Sequence, residues 1–242
     1  MISKLLTGLL TAFLFCSLLS SAQQTDVQRF DLYSGFTFLN SPSLNLAEHG
    51  YHFQAGYNAT RMLTVGFDYS IVTGHNSLTA NLLTDSLQLQ ITTALKDLAL
   101  EGLLPPGYQL SVPTDSTTQT FAAGTQFNCR HFVPVTLFVR PDIGAIREVA
   151  TPHPRDPIAA LIVSQLAPSG HKISWASFYG FGGGFDWNAT RHIVLRLQAD
   201  QVYNHLFNDL LKDSRWSTRA SIGLAYRFGR SIPEAKSTQP KP

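Results

Sequence analysis

From residue 30 onward the chain alternates. In "FDLYSGFTFL", Phe30, Leu32, Phe36 and Phe38 fall on one parity, with Asp31, Tyr33, Gly35 and Thr37 on the other. "YHFQAGY" sets Tyr51, Phe53, Ala55 and Tyr57 against His52, Gln54 and Gly56. "LTVGFDYSI" sets Leu63, Val65, Phe67, Tyr69 and Ile71 against Thr64, Gly66, Asp68 and Ser70. Successive side chains of a strand point to opposite faces, so a period of two predicts strands with one apolar and one polar face. The rhythm returns in "TFAAGTQF", "VTLFVRPDIGA", "WASFYGFGGGFDW", "IVLRLQADQVY" and "RASIGLAYRF", which brings the expected strands to eight. Each is near the ~9–11 residues that cross a bilayer at a tilt.

The connections alternate in length. Tight hairpin turns are expected at residues 58–61, 128–131 and 188–191, with Asn58, Asn128 and Asn188 making them. Asparagine suits a turn because its side chain bonds nearby backbone and it tolerates turn geometry. Two of these turns repeat Asn-Ala-Thr-Arg, at 58–61 and 188–191. An Asn-x-Thr triplet reads first as a glycosylation acceptor, but its place at the tight end of a hairpin makes it a turn element here. The other links, residues 40–49, 72–117, 148–173 and 204–217, are long. Short turns at one end and long loops at the other is the asymmetry of an outer-membrane barrel, and it puts the short turns in the periplasm.

Two of the long links contain helical patterns. Residues 78–104 are Leu-rich and stop at Pro105, with Asp85 or a nearby threonine as the start. "RDPIAALIVSQLAPSG" begins with Asp156 as cap and Pro157 at the first helical position, and stops before Pro168. Both are too apolar to float in water. They are expected to pack on each other or over the barrel mouth as a lid, or else to lie in the outer-leaflet interface.

Alternation alone fits a soluble barrel such as a lipocalin equally well, with its apolar face turned inward. Composition and position favour the membrane. Charged residues are 14% of the chain, against about a quarter in soluble domains. The polar parity carries Asp31, Asp68, Arg140, Asp142, Arg196, Asp200, Arg219 and Arg227. An eight-stranded interior is just wide enough to be filled by side chains, and pairing makes buried charge tolerable. Aromatics gather at strand ends: Tyr57, Trp187 and Phe228 beside the short turns, Trp175 toward the other end. These are the places of the two interfacial girdles.

The last strand, "SIGLAYRF", resembles the terminal-strand signal of bacterial outer-membrane barrels, with Gly223, Tyr226 and Phe228 at its key positions. That resemblance implies insertion by the barrel-assembly machinery. The strands from Phe30 to Phe228 are similar to the small OmpA/OmpX-type barrels. The fold this implies is all-β, an eight-stranded antiparallel up-and-down transmembrane β-barrel, with short helices in two long extracellular loops. The expected location is the bacterial outer membrane, and the expected surroundings are its lipids and lipopolysaccharide.

The ends read differently. Residues 1–22 carry Lys4, an apolar run too short for a comfortable span, and Ser20-Ser21-Ala22 as a cleavage site, so they are expected to be a removed signal peptide. A periplasmic segment at 23–29 and a barrel at 30–228 follow. The tail at 229–242, rich in Pro, Lys and Ser, is expected to be disordered and periplasmic. It is too short for a peptidoglycan-binding domain.

Chemical signals are few. A net charge of +2 is too weak to imply nucleic acid as a partner. "GFGGGF" lies within a strand and is no phosphate loop, and the histidines show no metal-ligand spacing, so no cofactor or metal is expected. His75-Asn76-Ser77, and His171 with Ser174, are the catalytic candidates, because some small barrels that modify lipid A use His and Ser near the outer rim. The expected function is a structural or surface-interaction role without catalysis, its loops binding lipopolysaccharide, surface ligands or other proteins. A narrow diffusion pore and a lipid A-modifying enzyme are the alternatives.

Overall fold

A sheet whose outer face meets lipid has no water to satisfy an open edge, so it must close on itself. The computed structural model, which describes residues 27–105, 107–212 and 215–233, shows that closure. Eight antiparallel strands follow one another around a closed barrel: β1 (Gln28–Ser41), β2 (Leu46–Asn58), β3 (Leu63–Thr79), β4 (Ser111–Cys129), β5 (Val135–Pro152), β6 (Lys172–Asn188), β7 (Ile193–Asn204) and β8 (Arg215–Ser231). β8 returns to β1 in the register Phe30↔Phe228, Leu32↔Tyr226 and Gly35↔Gly223. The expected signal peptide and most of residues 23–29 lie outside the described residues.

The strands run from 12 to 19 residues, longer than the apolar alternation predicts. The added length lies toward the long links. Residues 73–79 and 111–118 are mostly Thr, Ser and His, which suit a pleated backbone but offer no apolar parity to read. Four long links were expected, and three are found. The first shrinks to a 3-10 turn, Pro42–Leu44, closed by Asn45 in the left-handed region at φ 49°. The barrel also extends past both expected ends. Gln28 pairs with Ser231, and the Ile232 N–H donates to Val27 O at 2.8 Å. Residues 229–231, assigned to a disordered tail, therefore belong to β8; residues 234–242 lie outside the described residues.

Both loop helices form where expected. α1 is Asp85–Leu100, after Thr84. α2 is Pro157–Leu166, and Asp156 caps it by accepting from the Ala159 N–H at 2.8 Å. The helices pack on each other. Ile91 and Ala159 are buried together with Leu83, Leu110 and Val112, while Leu87, Leu95, Ile162 and Val163 flank them. The Tyr108 hydroxyl, donating to Asp156 at 2.9 Å, ties the link to α2.

A second apolar cluster fills the mouth. Leu44, Leu206, Phe207 and Leu211 come down from loops onto Leu46, Ala122, Ile146, Phe178 and Val202 of the strands. Phe207 holds φ 53°, a strained region for a bulky side chain. Its ring is 4% exposed and its N–H donates to Ser174 Oγ at 2.9 Å, which together hold it there. Helical cap and plug are stitched by the Leu83↔Leu211 bridge and by the Thr84 N–H donating to Leu210 O at 2.8 Å.

Candidate functional site: a charged interior between two rims

The sorting of side chains is sharp. Outward-facing Tyr51 and Ile143 are 62% and 69% exposed, whereas Asp68 and Arg219 are 2% and 1% exposed inside the barrel. An apolar exterior around a charged interior is stable only when lipid is the outer solvent.

All eight charged residues expected inside are buried there, and they form two groups. In the first, Arg196 donates through Nε to Asp186 Oδ1 at 2.8 Å and through Nη2 to Asp31 at 3.2 Å. Arg227 reaches Asp31 at 3.2 Å, contacts Asp186, and donates to Asn188 Oδ1 at 2.8 Å. The Arg196 guanidinium lies between the rings of Tyr33 and Phe138, 5.5 Å and 5.3 Å from their centroids. In the second group, Asp68 accepts from Arg140 at 2.8 Å and from Arg219 at 2.9 Å, and meets His52 Nε2 at 2.5 Å. Arg219 also grips Asp200 through Nε and Nη2, at 3.0 Å and 2.9 Å, and Arg140 donates to Asp142 at 3.0 Å. Gly182 makes room: a Cβ there would fall on the Asp200 carboxylate.

Six further Asp, Glu, His and Arg side chains belong to this interior among the described residues. Asp186 and His52 sit on the polar parity beside residues the alternation picks out, so pattern could have found them. Glu48, Glu148 and Arg215 lie where the strands continue above the apolar alternation. There Arg215 contacts Glu148, Ser116 donates to Glu148 at 3.0 Å, and Thr118 donates to Glu48 at 2.9 Å. Arg130 leaves the β4–β5 turn to point inward, its Nε donating to Arg61 O at 2.8 Å. Among the described residues, seven buried carboxylates face six buried arginines. The space left between Asp31, Asp68, Arg140 and Arg196 is a cavity of about 30 Å³, room for about two waters.

The short-turn rim departs from expectation. Asn58 and Asn188 end β2 and β6, Asn128 lies within β4, and none of the three makes a turn. Asn58 Nδ2 donates to Gln28 O at 2.7 Å, and its Oδ1 accepts from Thr64 at 2.5 Å and from Arg130 at 3.3 Å. Asn128 Nδ2 donates to Thr64 at 2.8 Å. Asn188 donates to Val133 O at 3.1 Å. The turns are made by the threonines of the repeat. Thr60 Oγ1 accepts from the N–H groups of Met62 and Leu63 at 3.2 Å and 3.0 Å, and Thr190 Oγ1 from those of His192 and Ile193 at 3.2 Å and 2.9 Å. A threonine hydroxyl can close such a turn locally, which frees the amide to join neighbouring hairpins across the barrel floor.

The aromatics lie outside. Tyr57, Trp187 and Trp175 are 41%, 51% and 59% exposed. Phe228 stacks on Phe30 at 5.3 Å and on Tyr226 at 5.9 Å, beside Tyr57. Trp175 stacks on Phe121 at 6.2 Å at the opposite girdle. Gly223 faces Gly35 so closely that a Cβ would lie 2.3 Å from the Gly35 Cα. No member of the terminal-strand signal is therefore idle in the folded barrel.

At the outer rim, His75 Nδ1 meets Asp115 Oδ1 at 2.6 Å, and His153 Nε2 meets Asp115 Oδ2 at 3.1 Å. Ser77 is exposed on the same strand. In the other candidate pair, Ser174 accepts from the Phe207 N–H at 2.9 Å. Among the described residues, no three His, Cys, Asp or Glu side chains converge as a metal site requires.

No family model matches the chain, and no curated protein matches it either. Solved structures do. Neisserial surface protein A aligns over 82% of this chain and 97% of its own, with a TM-score of 0.52 at 13% identity. This chain has the fold of a small outer-membrane barrel. OprG, an outer membrane protein of Pseudomonas aeruginosa, aligns over 87% of this chain and 100% of its own, with a TM-score of 0.49 and 9% identity. Ail, the attachment invasion locus protein of Yersinia pestis, aligns over 84% and 99%, with a TM-score of 0.44 and 12% identity. The barrel described here carries a heavier cap than its strand count requires, with α1 and α2 inserted between its strand pairs.

Proposed function

We propose that the protein is a non-conducting outer-membrane barrel whose helical cap is a surface for interaction with molecules outside the cell. The observation that carries this reading is the double seal. The apolar plug of Leu206, Phe207 and Leu211 fills the mouth, and the arginine–carboxylate network fills the lumen beneath it. An interior of this size holds side chains, not a water column. What the molecule presents outward is the α1–α2 cap, which still exposes Leu89, Leu100, Leu103 and Leu161. Planar-bilayer recording tests the reading: purified protein at high loading gives no unitary channel events. Discrete conductance steps that scale with protein concentration would sink it in favour of the pore.

A second reading has one observation in its favour. The His75–Asp115 hydrogen bond, with exposed Ser77 two residues on, sits at the outer rim on the outward face. A carboxylate that orients imidazole leaves the other ring nitrogen to serve as a base toward a hydroxyl. Ester hydrolysis on an outer-leaflet lipid is the chemistry this pair suits. Its check is mass spectrometry of lipid A from expressing cells: the wild type alters the acylation pattern, and His75→Ala and Ser77→Ala restore it. An unaltered pattern in the wild type removes the reading.

A further inference from the structure

The two rims carry opposite charge. At the short-turn end, the described residues 27–29, 59–62, 189–192 and 229–233 hold four cations, Arg29, Arg61, Arg191 and Arg230, and no carboxylate. At the other end, the described residues of 79–115, 152–172 and 205–212 hold six carboxylates and four cations. The loop rim is therefore poorly suited to collect phosphate, and the turn rim is well suited.

The hem arginines form an arc. Arg191 stands in the β6–β7 turn, Arg230 and Arg29 flank the β8–β1 seam, and Arg61 stands in the β2–β3 turn. Since β7, β8, β1 and β2 are consecutive around the ring, the arc spans about half of it. Arg191 and Arg230 are exposed, and Arg29 and Arg61 are half-buried. The arc is also continuous with the aromatic girdle. Arg29 Nη1 donates to the Tyr57 hydroxyl at 2.6 Å, and its guanidinium lies 5.8 Å from the centre of that ring. Tyr57 and Trp187 mark the depth at which headgroups begin. Cations just beyond that depth meet lipid phosphate, and arginine forks onto phosphate oxygens in pairs of hydrogen bonds.

We propose that this arc binds the headgroups of anionic phospholipid in the periplasm-facing leaflet, so that the barrel gathers phosphatidylglycerol-type lipid around its turns. The proposal rests on the membrane placement of the fold and is independent of what the cap binds.

The experiment uses the full chain in vesicles of phosphatidylcholine, with or without phosphatidylglycerol, and reads the temperature at which the compact unheated gel band is lost. Phosphatidylglycerol raises that temperature for the wild type, and 0.5 M salt abolishes the rise. The triple variant Arg29→Gln/Arg61→Gln/Arg191→Gln loses the rise, whereas Lys96→Gln/Lys172→Gln, at the loop end, keeps it. A triple variant that keeps the full rise, or a loop variant that loses it, overturns the proposal. If the triple variant does not fold, native mass spectrometry of the wild type decides: retained phosphatidylglycerol exceeds phosphatidylcholine by at least about fivefold, the worth of one basic residue at an anionic surface. Equal retention overturns the proposal. So does arc-dependent binding to isolated peptidoglycan without any preference for phosphatidylglycerol, since that would make the cell wall the partner.

Discussion

Asn58 and Thr60 stand two residues apart in one repeat and do different work. Thr60 closes an exposed turn with two local bonds. Asn58 is buried and joins Gln28, Thr64 and Arg130 across the floor of the barrel. Removing an exposed local bond costs about 0.5–1 kcal/mol, whereas leaving buried partners unsatisfied costs about 1–3 kcal/mol. Asn58→Ala is therefore expected to lower urea-unfolding stability in vesicles more than Thr60→Ala does. The reverse order would mean that the asparagine serves the turn after all. Gly223→Ala separates two roles in the same way. If the facing of Gly223 and Gly35 matters for packing, the variant folds poorly into pure lipid vesicles without any machinery. Normal folding there, with failure only in cells, would leave recognition as its single role.

Tyr108 makes a pH prediction. Burial, and then the hydrogen bond to Asp156, push its hydroxyl up to about 12 from the ordinary value of 10. A group whose pKa is raised by folding contributes its stabilisation fully below the unfolded value and loses it as pH climbs through the folded one. The tie between the link and α2 thus holds below pH 10 and is lost as pH rises toward about 12. Hydrogen exchange of α2 amides should rise over that window, after correction for intrinsic rates. Tyr108→Phe should show faster exchange already at neutral pH and no further step.

Among elements, α1 and α2 illustrate how an apolar loop is made safe. Each buries one stripe against the other, and the pair docks on the upper ends of β3 and β4 through Leu78 and Val112. A carboxylate placed in that stripe cannot be paired, and it would expel the helix from its partner. Ile91→Asp is accordingly expected to make residues 83–110 cleavable by added protease while the compact unheated band survives. Loss of the band would show that the cap and the barrel fold as one unit. Both helices were legible in the sequence because their signals are local: Asp156-Pro157 at a start, prolines at the ends. The upper strands were not. Their Thr-rich stretches form ladders because the strands below already hold the register, His75 facing Asp115 and Asp115 facing Thr151.

At the scale of the whole molecule, the proposed non-conducting state rests on two barriers in series, the plug and the network. Shortening the β7–β8 link to delete Leu206–Leu211 removes the first and leaves the second. Arg196 and Arg219 remain held by carboxylates on several strands, and a buried charge pair that keeps its partners does not open a path. The shortened protein is expected to stay electrically silent in planar bilayers. Currents from it would mean that the apolar plug alone closes the lumen.

The sequence by itself determined the turn-side parts of the strands, their inward and outward faces and the two helices, because each rests on spacing along a single stretch of chain. It also named Asp31, Asp68, Arg140, Asp142, Arg196, Asp200, Arg219 and Arg227 as interior, since parity decides a face. Only the tertiary structure decided which of them meet. Arg196 finds Asp31 from 165 residues away, and Arg227 finds it from 196; such pairs depend on barrel closure and strand stagger, which parity does not encode. Closure also decided that Arg130 turns inward, that the asparagines knit the floor, and that a loop phenylalanine stops the mouth. Each of these contacts joins segments whose sequences carry no mark of one another.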